Sequence, residues 1–248
     1  MYLLHAMYGI LTIARYPKYL GFAGFMSMAI FRLPLWLNKK IHFWKLMGCG
    51  RNGTFDKTPD WRQWAVLQVT GTGAISGALD SLDKAPLHPP FMVKYWRFFH
   101  AEVYTLVLEP LEGHGLWDGN AVFGSLPKSS GYNGPVAVLT RATIRLSRLQ
   151  QFWQNVQGVA NQMKTAPGFV YSVGIGEVPF IKQATFSVWQ SADLMKQFAY
   201  QMQQHKEVVR KTRQQQWYSE EMFTRFKVLA VYGSINGVNP LQSFVKAV

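Results

Sequence analysis

Cysteine is almost missing from this chain: its 248 residues include one, Cys49. That excludes an intramolecular disulfide and any thiolate metal cluster held by the chain alone, and it fits a reducing compartment. Between Gly48 and Gly50, Cys49 reads as a small buried side chain rather than a reactive thiol. Acid is scarce too, with 13 Asp and Glu against 26 Lys and Arg. The resulting charge of +13 suits an anionic partner or a plain basic surface. Nucleic acid is not indicated, because the basic residues are spread along the chain and no helix-turn-helix, zinc or RNP pattern is present. A Ser-His-Asp arrangement and a P-loop are also lacking, which removes the commonest hydrolase and NTPase readings. The pairs Gly48/Gly50 and Gly174/Gly176 lack the third glycine of a dinucleotide fingerprint; they read as close backbone approaches or bulges at strand ends. The start, MYLLHAMYGIL, has no basic n-region and no small-residue cleavage site, so a secretory signal is not expected.

What is plentiful is apolar surface, 48% of residues, enough for a proper core. One apolar run, Tyr19 to Leu37, approaches the length of a bilayer span. Arg32 and Pro34 lie inside it and Lys39-Lys40 follow, so it reads as a buried helix or as one resting in a membrane interface, not a span.

Self-similarity organises the chain. From Pro135 the strand pattern PVAVLTRATIR leads into a helix pattern from Leu146 to Thr165, closed by Pro167-Gly168. Two strand runs follow, FVYSVGIG from Phe169 and QATFSVW from Gln183. A second helix starts near Ser191 with the inward stripe Leu194, Phe198, Met202, His205, Val208, Val209 and Thr212, and the strand MFTRFKVLAV ends the unit. The order is βαββαβ, a ferredoxin-like unit. The first half repeats it: a strand at Met7 to Ala14, the helix after Pro17, HFWKLMGCG, WAVLQV, a helical region from Ser76 to Phe99 and VYTLVLEP. HFWKLMGCG aligns with GFVYSVGIG, including the G-x-G. The stretch from Leu111 to Asn133 is rich in Gly, Pro and Ser and reads as a linker. The expected division is 1–113, a linker over 114–134, and 135–248: an α+β chain of two tandem ferredoxin-like halves. Two such sheets face to face predict a half-open barrel with an apolar ligand chamber between them.

The segments FWKLMGCG, PVAVLTRATIR, YSVGIGEVP, QATFSVW and WYSEEMFTRFKVL resemble the spheroidene monooxygenase family. The resemblance covers most of the second half and, in the first, the region from Phe43 to Gly50. It implies a dimeric α/β-barrel-like fold, a haem (iron) cofactor, and O2-dependent introduction of a keto group into an acyclic carotenoid. The chain carries no reductase signature, so electrons must come from an external donor such as a ferredoxin. A cytoplasmic location follows, with docking on the inner face of the cell membrane where such a substrate dissolves.

Of six histidines only His205 sits inside a helix on its expected inward face, and it is the candidate iron ligand. Arg141 and Arg225 lie on mixed strand faces. If those faces line one cavity, they are candidates for the haem propionates, and Arg225 for a distal donor. The bland reading is an ion pair with Glu177, Glu220 or Glu221. Trp189 and Trp217, with Phe186 and Phe223, are candidate aromatic walls or plain core. Competing functions are a haem or apolar-ligand carrier, another haem reaction such as dehydration or peroxidation on the same barrel, and a cofactor-free monooxygenase.

Overall fold

The computed structural model describes residues 7–51, 53, 57–73, 75, 87–201, 210, 212 and 214–244. The period-two alternation read from the sequence sets its strands. In β1 (Met7–Arg15), Leu11 and Ile13 enter one core and Ala14 another on the opposite side. The chain continues through α1 (Gly21–Ile30), α2 (Arg32–Leu37), β2 (Ile41–Gly50), β3 (Pro59–Gly71), α3 (Pro90–Phe98) and β4 (Glu102–Gly115). Pro90 opens α3 at a position where a missing N–H costs nothing. The second pass is β5 (Val136–Ile144), α4 (Leu149–Lys164), β6 (Phe169–Val178), β7 (Lys182–Trp189), α5 (Ala192–Gln201) and β8 (Tyr218–Gly233). Both passes are ferredoxin-like, as the internal repeat predicts.

The eight strands close into one barrel in the order β1-β3-β2-β6-β7-β5-β8-β4. Two antiparallel seams join the halves, and each pairs equivalent strands. At β2·β6 the two G-x-G motifs meet, with Gly48 opposite Gly176 and Cys49 opposite Ile175. Register slips beside both motifs, at Gly48/Cys49 and Gly176/Val178, bear out the bulge reading. At β4·β8 the last strands of the halves pair along most of their length.

The same two-fold relation governs the barrel mouths. After β4, Asp118 and Gly119 form a tight reversal with φ of 50° and 75°, and after β8, Asn236 and Gly237 do so with 56° and 76°. Asp-Gly and Asn-Gly suit this, since two successive positive φ values strain most other residues. The backbone N–H groups of the first turn donate to the Glu220 carboxylate at the start of β8. Those of the second donate to Glu102 at the start of β4.

One expectation fails here. The space inside the barrel is filled by buried side chains, among them Leu67, Leu106, Leu139, Phe186 and Phe226, with Trp117 and Ile235 brought in by the two turns. Alternation points large residues inward from both sheets, so the room expected for a ligand is occupied. Two boundaries also move. β3 starts at Pro59 rather than Trp64, and β4 runs through Gly115, so Leu111 to Gly115 belong to a strand rather than to linker. Residues 76–86 of the expected helical region lie outside the described residues.

Candidate functional site

Helices cover the outer side of each sheet, and the two covered faces differ. On the first half Ala14, Trp64 and Val66 pack against Ala23 of α1, Phe31 at the junction of α1 and α2, and Leu35 of α2, and against Met92 and Trp96 of α3. The fit is tight: a Cβ on Gly24 would lie 2.3 Å from the Trp64 ring, so only glycine lets α1 settle there. A polar cluster is enclosed beneath. His88 lies 3.1 Å from Thr12 Oγ1 through Nε2 and 2.6 Å from Gln68 Nε2 through Nδ1, and Thr12 bonds Thr105. With the Gln68 amide donating to Nδ1, the ring proton sits on Nε2 and is given to Thr12. Burial lowers the His88 pKa to about 4, so the ring is neutral.

The second half keeps the helices, but among the described residues its sheet face is more polar. On its covered face α4 is anchored near one end by Phe152 and Trp153 against Ile144 and Trp217, and near the other by Met163 against Val136 and Val138. Between these anchors the register lines up a row Gly174, Thr185, Thr140, Phe223 and His114 across β6, β7, β5, β8 and β4. The next row is Ser172, Ser187, Val138, Arg225 and Glu112. The corresponding central residues of the first half are Leu46, Val66 and Thr12. Thr140 is exposed although it lies mid-strand. Thr185 Oγ1 and Arg225 Nε are buried without a hydrogen-bond partner. Short side chains, an arginine and two unspent polar atoms suit a cofactor with anionic edges. Among the described residues no three His, Cys, Asp or Glu side chains gather to hold a bare metal ion.

The structure separates the two arginines. Val138 stands opposite Arg225, and Met222 opposite Arg141, so Arg225 is on the helix-covered face and Arg141 points into the barrel. The mixed faces of β5 and β8 therefore do not line one cavity; cross-strand register, which the sequence does not display, decides this. Arg141 is buried and ion-paired with Glu220, Asp118 at 3.2 Å and Glu177 at 3.8 Å, two of which were anticipated. Lys45 and Lys182 join it at the barrel mouth, each bonded to Asp118. Burial would raise the Asp118 pKa, but hydrogen bonds from Lys182 and Lys45 win and lower it to about 2. Arg225 pairs with buried Glu112, which also accepts from the Ser130 N–H.

Trp189 lies on the covered face, its Nε1 donating to Ser187 Oγ at 3.0 Å and its ring 5.1 Å from that of Phe198. Trp217 packs with Phe152 at the other end, so the two tryptophans do not meet. His205 lies outside the described residues. Sequence reading missed His114, placed in the linker; it stands on β4 with its ring stacked on Phe223 at 5.7 Å. It also missed the short residues Ser172, Gly174, Thr185 and Ser187, although they alternate with apolar residues in YSVGIG and TFSVW and were legible as one face. Cys49 is buried and its pKa rises to about 12, first through burial, as the inert reading requires.

The closed antiparallel barrel of two ferredoxin-like units, with helices outside, defines a dimeric α/β-barrel protein. Aldoxime dehydratase in complex with butyraldoxime shares this fold at a TM-score of 0.59 and 9% identity, over 90% of this chain and 79% of that one. The chain belongs to the spheroidene monooxygenase family, whose members are oxidoreductases. It is 33% identical over 220 residues to the spheroidene monooxygenase of Rhodobacter capsulatus, covering 88% of each chain. To that of Cereibacter sphaeroides it is 31% identical, over 82% of this chain and 60% of the relative. A domain of unknown function (DUF3291) matches residues 136–229, the strands and helices of the second half.

Proposed function

We propose that the chain is a haem-dependent monooxygenase that introduces a keto group into an acyclic carotenoid, using O2 and electrons from a separate donor such as a ferredoxin. The observation that carries this reading is the 33% identity to a spheroidene monooxygenase along 88% of both chains. The outer face of the second half supports it from the physical side, because it has short residues, an arginine and unspent polar atoms that suit a porphyrin with its propionates. Haem iron, when bound, supplies the activation of O2. His205, in the segment following α5, is the proposed ligand. Arg225, held by Glu112, keeps a fixed positive charge on this face for a propionate or for oxygen bearing developing charge. Thr185 Oγ1 offers a hydroxyl without another partner. Trp189 closes one end of the face. Arg141 points into the barrel and pairs with three carboxylates there, which favours a scaffold role for it over cofactor binding.

The test is the absorption spectrum of the purified protein supplied with haem. A Soret band is expected, and His205→Ala should abolish it while circular dichroism stays unchanged. A normal spectrum in that variant would move the ligand, with His114 on the same face the next to substitute. Absence of O2 consumption with carotenoid and reductant, in haem-loaded protein, would leave a carrier.

A further inference from the structure

The first half turns an unusual surface outward. Soluble helices bury their large apolar residues and expose polar ones. α1 does the reverse: Ala23, Gly24 and Ser27 are buried against the sheet, and Phe22, Phe25 and Met26 are exposed. The outward stripe continues at helical spacing into α2 with Leu33, Trp36 and Leu37, and Trp36 is 72% exposed. The apolar surface extends sideways through ring contacts. Phe25 lies 6.2 Å from Trp61, Phe22 lies 6.2 Å from Phe99, and Phe99 lies 4.9 Å from Phe98, itself 75% exposed. A continuous patch of this kind marks an interaction site.

Its charge names the partner. Residues 17–40 and 90–100 contain no Asp or Glu, and the exposed charges around the patch are Lys18, Arg32, Lys39, Lys40, Lys94 and Arg97. Aromatic rings in the middle with exposed lysines and arginines around α1, α2 and α3 are what an anionic bilayer surface selects: rings enter the headgroup region and lysines meet lipid phosphates. The helical stretch Lys18–Leu37 is apolar and 20 residues long, enough to cross a membrane by length and composition. Yet one side of it is committed to the sheet through Ala23, Phe31 and Leu35, so it has only an outer side to offer lipid. We infer that the α1–α2–α3 face docks in the plane of an anionic membrane, with Phe25 and Trp36 inserted and the basic rim on the headgroups. The face that carries Arg225 belongs to the other half of the barrel.

Flotation of the full chain with vesicles tests this without cofactor or substrate, so its failure leaves the proposed activity standing. Vesicles of mixed phosphatidylglycerol and phosphatidylcholine should carry the wild type upward, and pure phosphatidylcholine should carry far less. Phe25→Ser with Trp36→Ser should lower partitioning at least tenfold. Lys39→Gln with Lys40→Gln should lower it by roughly fivefold per charge, and raised salt should imitate that change. Circular dichroism establishes that each variant is folded. Equal flotation of wild type and both variants would overturn the inference. So would a wild-type dimer in light scattering that Trp36→Ser dissolves, because a second copy would then be the occupant.

Discussion

The two halves share an element order, a strand order and a pair of equivalent seams, but they put opposite chemistry on equivalent surfaces. In the first, Trp64, Val66 and Leu46 fill the space between sheet and helices, and the aromatic excess spills outward onto α1 and α2. In the second, Ser172, Gly174, Thr185 and Ser187 occupy those strands, and Thr140 is left exposed. One scaffold thus carries two different outer faces: among the described residues the first half packs large apolar side chains there, and the second half sets short and polar ones.

The sharpest way to break this comparison is to exchange the properties of the halves. Trp96→Ala, which empties the packed half, should cost about 3–5 kcal/mol in denaturant unfolding while leaving turnover per folded molecule unchanged. Thr185→Phe, which puts a large ring on the proposed cofactor face, should lower carotenoid oxidation about a hundredfold or more and cost only about 1–3 kcal/mol. If both variants lose stability and turnover in the same proportion, the halves are not specialised.

A second comparison uses pH. His88 is neutral and enclosed, with a folded pKa of about 4 against an unfolded value near 6.5. Between these values the unfolded chain takes up a proton that the folded one excludes. The His88 contribution to stability is therefore expected to be full above pH 6.5, to decline as pH falls, and to be lower by about 3 kcal/mol near pH 4. His88→Gln should flatten the stability profile between pH 6.5 and 4.5. An unchanged slope in that variant would assign the acid sensitivity elsewhere.

The smallest effect concerns the turns. Glu102→Gln keeps the shape and removes the charge that accepts two backbone N–H groups and Ser234 Oγ, so it should cost about 1 kcal/mol. Glu220→Gln should cost more, since Glu220 also holds buried Arg141. Equal losses at the two sites would mean that Arg141 gains little from this partner.

Much of the fold was legible because alternation and helical spacing are local. The repeat, the G-x-G equivalence and the strand cores all rest on neighbours a few residues apart. The candidate site was legible only in pieces. Arg225 and Arg141 look alike in sequence, each on a mixed strand face, and only the pairing of Val138 with Arg225 and of Met222 with Arg141 sends them to opposite sides. His114 and Glu112 were hidden for another reason: Gly113 and Gly115 made the end of β4 resemble a loop. The expected chamber failed because inward residues from two sheets add up, and neither strand alone displays that sum.

The crossed turns carry one more lesson. Each half's closing reversal is captured by a glutamate 101 to 135 residues away in the other half. Neither unit can finish its own end, so an isolated half would keep a loose tail and an unanswered acid. Assembly must wait for such distant partners, which slows it, and the likeness to a clasp closed from both sides explains why a chain so plainly duplicated would come apart all at once.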